Sequence, residues 1–121
     1  MSDYCMCHIE SYWQELMDLS TEEFMQEAYM EALSHSREAF YRAEVLATHA
    51  DRCEKLKIPF VEIYTFSCEN LACMYQHMGE SLQAVKILNQ GISFLGYLYK
   101  QKLLSKEVFE EQIEALNCLF R

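Results

Sequence analysis

The stretch CENLACMYQHMGE, residues 68–80, contains two cysteines and a histidine that could bind a metal or form a reactive thiol. Each residue of an α-helix advances by about 100°, so Cys68 and Cys73 lie about 140° apart and do not readily share a ligand. Cys73 and His77 are four residues apart and lie on one face. Two ligands are too few for a zinc site, which needs three or four. We therefore expect no metal at this stretch and inert burial for Cys68.

Cys73 and His77 also supply the two groups of an activated thiol, a nucleophile and a base. The middle of a helix offers neither an oxyanion hole nor a helix N-terminus to assist such a thiol. The sequence has no glycine-rich phosphate loop, no G-x-S-x-G and no H-E-x-x-H motif. Glu31 and His35 are four residues apart, but the E-x-x-H motif of a di-iron site is missing. We expect no catalytic residue and no cofactor.

A second group of potential ligands, Cys5, Cys7 and His8, lies near the N-terminus. Their spacing is C-x-C-H, whereas common zinc modules use C-x₂-C. Soft thiolates of this kind could bind copper(I), but we expect a frayed terminus instead. The other candidates are expected to be structural or solvated, namely His35 and the pair His49 and Cys53.

The composition indicates one compact domain that is neither a β fold nor a membrane protein. Of the 121 residues, 51% are hydrophobic, while glycine (3) and proline (1) are scarce. No apolar run approaches the length of a membrane span. The N-terminal sequence lacks the features of a signal peptide, so we expect a cytoplasmic protein with free thiols. The formal net charge of −9 disfavours nucleic acid, mainly promotes solubility, and would steer a basic partner towards the chain.

Helical signals in the first half of the chain are continuous, with few residues that mark a helix boundary. Apolar residues over 9–19 predict a short amphipathic helix. Ser20 and Glu23 form a capping-box pattern that predicts a new helix start. No glycine or proline occurs from Thr21 to Lys57. This stretch is either one long helix or two helices with a break at residues 34–36, and we favour the break.

The second half has clear boundaries. Pro59 suits the first turn of a helix, Gly79 suits a left-handed helix end, and Ser105 suits an N-cap. The predicted helices run over 60–78, 80–99 and 105–120. No strand-period segment of useful length appears, so the expected fold is all-α, with five to six helices forming antiparallel helical hairpins.

The hairpin around Gly79 carries a further pattern of large, small and aromatic residues. Its members fall at offsets 0, 1, 4, 8, 13, 17 and 20, and are Leu71, Ala72, Tyr75, Gly79, Ala84, Leu88 and Gly91. This pattern resembles the tetratricopeptide (TPR) repeat, a helical hairpin of about 34 residues. The clearest unit covers residues 65–98, although Cys68 and Gly96 stand where the family has a tryptophan-like anchor and a proline. A weaker earlier unit would cover about 21–57, and a capping helix 105–120.

The whole chain also resembles a family of small bacterial TPR-like proteins to which no activity is assigned. The resemblance is carried by Cys68, Asn70, Leu71, Ala72, Gly79 and Cys118. The resemblance to the TPR hairpin implies that its first helix lines a concave groove, with four side chains facing it: Glu69, Cys73, Gln76 and His77. We therefore expect a non-enzymatic protein- or peptide-binding module, such as an adaptor or small chaperone-like protein. A basic partner is favoured, and a homodimer is an alternative way to cover the groove.

Two alternatives stay open. Residues 60–66 (FVEIYTF) and 94–99 (FLGYLY) are apolar nearly all round. We expect them to pack in the core, but they could instead form a partner surface or a dimer interface. In place of an adaptor, the chain could be a thiol- or metal-dependent sensor that uses Cys5, Cys7 and His8, or Cys73 with His77.

Overall fold

In the computed structural model the chain is all-helical, as predicted. The structure describes residues 1–120, without the side chain of Phe120, and this range contains six α-helices, one 3₁₀ turn and no strand. The helices are α1 (Asp3–Met25), α2 (Tyr29–Ala47), α3 (Ala50–Leu56), α4 (Phe60–His77), α5 (Ser81–Lys100) and α6 (Lys106–Asn117). The 3₁₀ turn is Cys118–Phe120. No helix within residues 1–120 is both long and apolar enough to cross a membrane.

The chain divides into two compact units, Met1–Ser67 and Cys68–Arg121. The first unit contains α1, α2, α3 and the first two turns of α4. The second contains the rest of α4 with α5 and α6. Helix α4 therefore contributes its N-terminal half to one core and its C-terminal half to the other.

In the first unit, α1 and α2 form a hairpin whose contact is lined by small residues. Ala32, Ala39 and Ala43 of α2 are completely buried, and side chains this small allow two helices to approach closely. Large side chains fill the space around them, including Leu16 of α1 and Leu46 of α2. The result is a helical core made of small residues at the contact and large apolar residues around it.

A buried hydrogen bond joins α1 to α4 within the first unit. The indole Nε1 of Trp13 donates to Ser67 Oγ at 2.7 Å, and Ser67 Oγ donates to the carbonyl oxygen of Ile63 at 2.7 Å. Both hydrogen bonds are buried, and Ser67 is fully excluded from solvent. Because an unpaired indole N–H would be costly here, Ser67 fixes the position of the Trp13 ring.

The second unit is built on a tight reversal at Gly79. This glycine has a φ of 78°, and the amide of Glu80 donates to the carbonyl oxygen of Tyr75 at 2.8 Å. Those are the features of a Schellman helix end, which confirms the prediction for Gly79. The N-cap prediction is also confirmed, since Ser105 Oγ accepts from the amide of Val108 at 3.1 Å.

The predicted helices of the second half are confirmed with small shifts. Helix α4 ends one residue before the predicted Met78, and α5 begins one residue after the predicted Glu80. Helix α6 ends at Asn117, so the last three residues of the predicted 105–120 helix form the 3₁₀ turn. Pro59 precedes α4, and its carbonyl oxygen accepts from the amide of Ile63 at 3.0 Å.

Three predictions for the first half are wrong. No helix begins at Ser20, which is buried inside α1 and donates through Oγ to the carbonyl oxygen of Met17. The chain does not break at residues 34–36, because α2 runs straight through them and buries Ser36. The N-terminus is not frayed, because α1 begins at Asp3 with Ser2 as its N-cap. The helix predicted over 9–19 is thus the middle of α1.

The true break after α1 carries no glycine or proline. Glu27 adopts a left-handed conformation with φ 63°, and the amide of Ala28 donates to the carbonyl oxygen of Glu23 at 2.8 Å. This is again a Schellman end, with glutamate in the position that glycine usually takes. The sequence therefore carries only a weak signal at this boundary, whereas the serines at residues 34–36 lie inside α2.

We predict opposite effects for alanine at two glycines of α5. A Cβ on Gly91 would lie 3.0 Å from Cys68 Sγ and 3.0 Å from Leu116 Cδ1, two side chains that are fully buried. Overpacking costs about 1–3 kcal/mol and the gain in helix propensity is about 1 kcal/mol, so Gly91→Ala should lower the free energy of unfolding by about 1 kcal/mol. Urea denaturation followed by circular dichroism measures this change.

Gly96→Ala is the matched control, because a Cβ there meets no atom within 4 Å. This variant should be more stable than the unmodified chain by about 0.5–1 kcal/mol. Equal stability of the two variants would contradict the close packing of Gly91 against Cys68.

Candidate functional site

The four side chains predicted to bind a partner lie on the C-terminal half of α4, and we call them the α4 polar face. Cys73, Gln76 and His77 are exposed, and Glu69 is half-buried. Residues that lie between them in sequence are buried, namely Leu71, Ala72 and Met74. The helical register therefore brings the four predicted residues onto the side of α4 that the core does not use.

The C-terminal 3₁₀ turn lies next to the α4 polar face. The side-chain amide of Gln76 donates to the carbonyl oxygen of Leu119 at 3.4 Å. This contact is long and solvent-exposed, so it contributes little to stability. The 3₁₀ turn thus contacts Gln76, one of the four residues predicted to bind a partner.

Glu69 and Cys73 are electrostatically unfavourable neighbours on α4. Burial raises the pKa of the Glu69 carboxyl above its ordinary value. Although Cys73 is exposed as a whole residue, partial desolvation of its thiol raises the pKa of that thiol, and the charge of Glu69 raises this pKa further. Cys73 is therefore a protonated thiol at neutral pH, whereas a reactive cysteine needs a lowered pKa.

The N-terminal cysteines and histidine lie on the first turns of α1. Cys5, Cys7 and His8 are all exposed, and the ring of His8 stacks on Tyr4 with 6.3 Å between ring centroids. Within residues 1–120 no group of three or more Cys, His, Asp or Glu side chains is arranged to hold a metal ion. The geometry of these residues therefore offers no ready-made coordination shell.

The remaining candidate ligands have structural partners. His35 Nδ1 lies 2.6 Å from Glu23 Oε1 and connects α2 to the end of α1. His49 Nδ1 lies 3.0 Å from the carbonyl oxygen of Val45. Cys53 is fully buried, and its thiol donates to the carbonyl oxygen of Leu46 at 3.3 Å. Burial, with a smaller contribution from Glu10, raises the pKa of Cys53 to about 11.

A groove between α1 and the start of α4 was not predicted from the sequence, and we call it the Trp13 groove. It encloses about 430 Å³ and lies within the first unit. Its lining consists of Glu10, Ser11, Trp13, Gln14, Pro59, Glu62, Ile63 and Phe66. The lining combines apolar side chains with two carboxylates, which is a common composition for a binding surface.

The apolar segment FVEIYTF contained the signal for this groove. Core packing was expected for it, and Phe60, Val61, Ile63 and Tyr64 are indeed buried. Phe66 differs, because 60% of its surface is exposed. The segment therefore contains one large apolar side chain, that of Phe66, which does not pack in the core.

The fold and these surfaces define an all-helical protein with two candidate contact surfaces and no assembled metal centre among residues 1–120. Residues 11–120 match the family described as a protein of unknown function, DUF2753, and the chain belongs to this family. No curated protein and no solved structure matches the chain. Nothing in these comparisons links the chain to TPR proteins, so the TPR resemblance stays a prediction.

We predict that Cys73 titrates above the pKa of an ordinary exposed thiol. The test uses a variant in which Cys5, Cys7 and Cys118, the other exposed cysteines, are replaced by serine. The rate of alkylation by iodoacetamide, measured against pH, should have a high midpoint, and Glu69→Gln should lower that midpoint because it removes a neighbouring negative charge. A midpoint below that of a free cysteine would instead favour the thiol-sensor alternative.

Proposed function

We propose that this protein is a non-enzymatic binding module that captures a basic segment of a partner protein on its α4 polar face. The single observation that supports this most is Glu69. Its carboxyl is half-buried at a raised pKa, and it is not among the ion-paired residues of the described chain. A carboxylate that has lost part of its hydration without gaining a counter-charge is a common feature of binding sites.

A lysine or arginine of the partner would supply the missing counter-charge. The overall charge of −9 favours the approach of such a segment through long-range attraction. Gln76 and His77 add polar groups to the same face, within one turn of Cys73. The expected contact is therefore polar and charge-assisted at its centre, in the manner of an adaptor or a small chaperone.

The thiol-dependent sensor has less support at this face, because the raised pKa of Cys73 opposes thiolate chemistry. Cys5, Cys7 and His8 remain its only candidates among the residues singled out. The sequence lacks the features of a signal peptide, and we include a cytoplasmic location in the proposal. A homodimer that covers the α4 polar face with a second copy is the competing form of the same proposal.

We predict that peptides selected on the immobilised protein from a random display library will be enriched in lysine and arginine. Their affinity, measured by fluorescence anisotropy, should fall at least about tenfold in Glu69→Gln, because a charge-assisted hydrogen bond is worth about 1.5–3 kcal/mol. Glu54→Gln is the control, since Glu54 is an exposed carboxylate on α3 and its loss changes the net charge equally.

Two results would contradict the proposal. One is a selection that yields no binding peptide. The other is a set of peptides whose affinity falls equally in Glu69→Gln and Glu54→Gln, because that would reduce the effect to net charge.

A further inference from the structure

The Trp13 groove has an apolar surface that the fold of the first unit leaves uncovered. Ile63 and Trp13 are 4% and 8% exposed, and they form its deepest apolar lining. Phe66, one helical turn after Ile63, lines the same groove with 60% of its surface exposed. Leaving most of a phenylalanine in water gives up the favourable free energy of its burial. A bound apolar side chain would recover it.

The apolar lining is held in place before any partner arrives. The hydrogen bond from Trp13 Nε1 to Ser67 Oγ fixes the indole, and Ser67 is itself bound to the backbone of α4. Pro59 lines the groove just before α4 begins and has a restricted backbone. A surface with so little freedom loses little entropy on binding.

The polar residues of the lining carry negative charge only. Glu10 comes from α1 and Glu62 from α4, so carboxylates lie on both helices that form the groove. Neither residue is among the ion-paired residues of the described chain. Ser11 and Gln14 complete the lining without adding a cation. Charge complementarity therefore selects a partner with lysine or arginine beside its apolar side chain.

We propose that the Trp13 groove docks a basic amphipathic segment of a partner protein. One large apolar side chain of the segment inserts against Trp13, Ile63 and Phe66, and flanking lysine or arginine side chains meet Glu10 and Glu62. The volume of about 430 Å³ lies within the range of about 300–1,000 Å³ that ligand pockets occupy. This surface shares no residue with the α4 polar face, so the two sites are tested independently.

The only tryptophan of the chain lines the groove, which gives a direct readout of binding. The probe is a synthetic 18-residue amphipathic helix made of leucine and lysine, without aromatic residues. Two comparison peptides have glutamate in place of lysine, or serine in place of leucine. Saturable change in Trp13 emission is expected with the leucine–lysine peptide, and at least tenfold weaker binding with each comparison peptide.

Variants of the protein then locate the binding. Phe66→Ala should weaken the binding of the leucine–lysine peptide about tenfold, because the exposed ring of Phe66 supplies most of the accessible apolar surface. The double change Glu10→Gln and Glu62→Gln should weaken it and flatten its dependence on salt. Leu82→Ala is the matched control and should leave binding unchanged, since Leu82 is an 88% exposed apolar residue of α5 in the other unit. Circular dichroism checks that each variant is folded.

Three outcomes would overturn the proposal. The first is no saturable change in Trp13 emission with the leucine–lysine peptide. The second is equal binding of either comparison peptide, because the groove would then lack one of its two proposed preferences. The third is a concentration-dependent dimer in sedimentation experiments that Phe66→Ala dissociates, because that would assign the groove to a second copy of the chain.

Discussion

The buried hydrogen bond between Trp13 and Ser67 is the constraint on which the first unit depends. An indole N–H inside a helical core must find an acceptor, and Ser67 accepts it while donating to Ile63. The two helices concerned, α1 and α4, are separated by 54 residues of sequence at this bond. The same Trp13 side chain, which is 8% exposed, belongs to the lining of the Trp13 groove. Fold and candidate surface thus follow from the same contact.

The second unit meets a different constraint, which is close approach between helices. Gly91 leaves room for Cys68 and Leu116, since a Cβ there would lie only 3.0 Å from a side-chain atom of each. Cys68 therefore acts as a small apolar packing residue, as expected, and it is fully buried. The inward register of Cys68, Leu71 and Ala72 turns Cys73, Gln76 and His77 outward. Packing of the core thereby determines which side chains of α4 are exposed and accessible to a partner.

Local signals predicted α4, α5 and α6 well, because Pro59, Gly79 and Ser105 each have one strongly preferred structural role. The predictions for the first half of the chain were wrong where such local signals are misleading. Ser20 and Glu23 match a capping box, but Ser20 satisfies its hydroxyl on Met17 inside a continuous helix. Glu27 ends α1 in a left-handed conformation that sequence statistics assign to glycine. The Trp13 groove could not be predicted at all, since it needs residues 10–14 placed against residues 59–66.

The claim that Glu69 is kept for binding and not for folding is tested most directly by the stability of Glu69→Gln across pH. Burial raises the folded-state pKa of Glu69, so the protonated carboxyl favours the folded state more than the ionised carboxylate does. The stabilising contribution of the carboxyl is therefore present below the unfolded-state pKa and is lost as the pH rises through the folded-state pKa. The free energy of unfolding of Glu69→Gln should therefore exceed that of the unmodified chain at pH 7, and the difference should vanish near pH 3. A variant that is less stable than the unmodified chain at pH 7 would show that the Glu69 carboxylate supports the fold, and would contradict the claim.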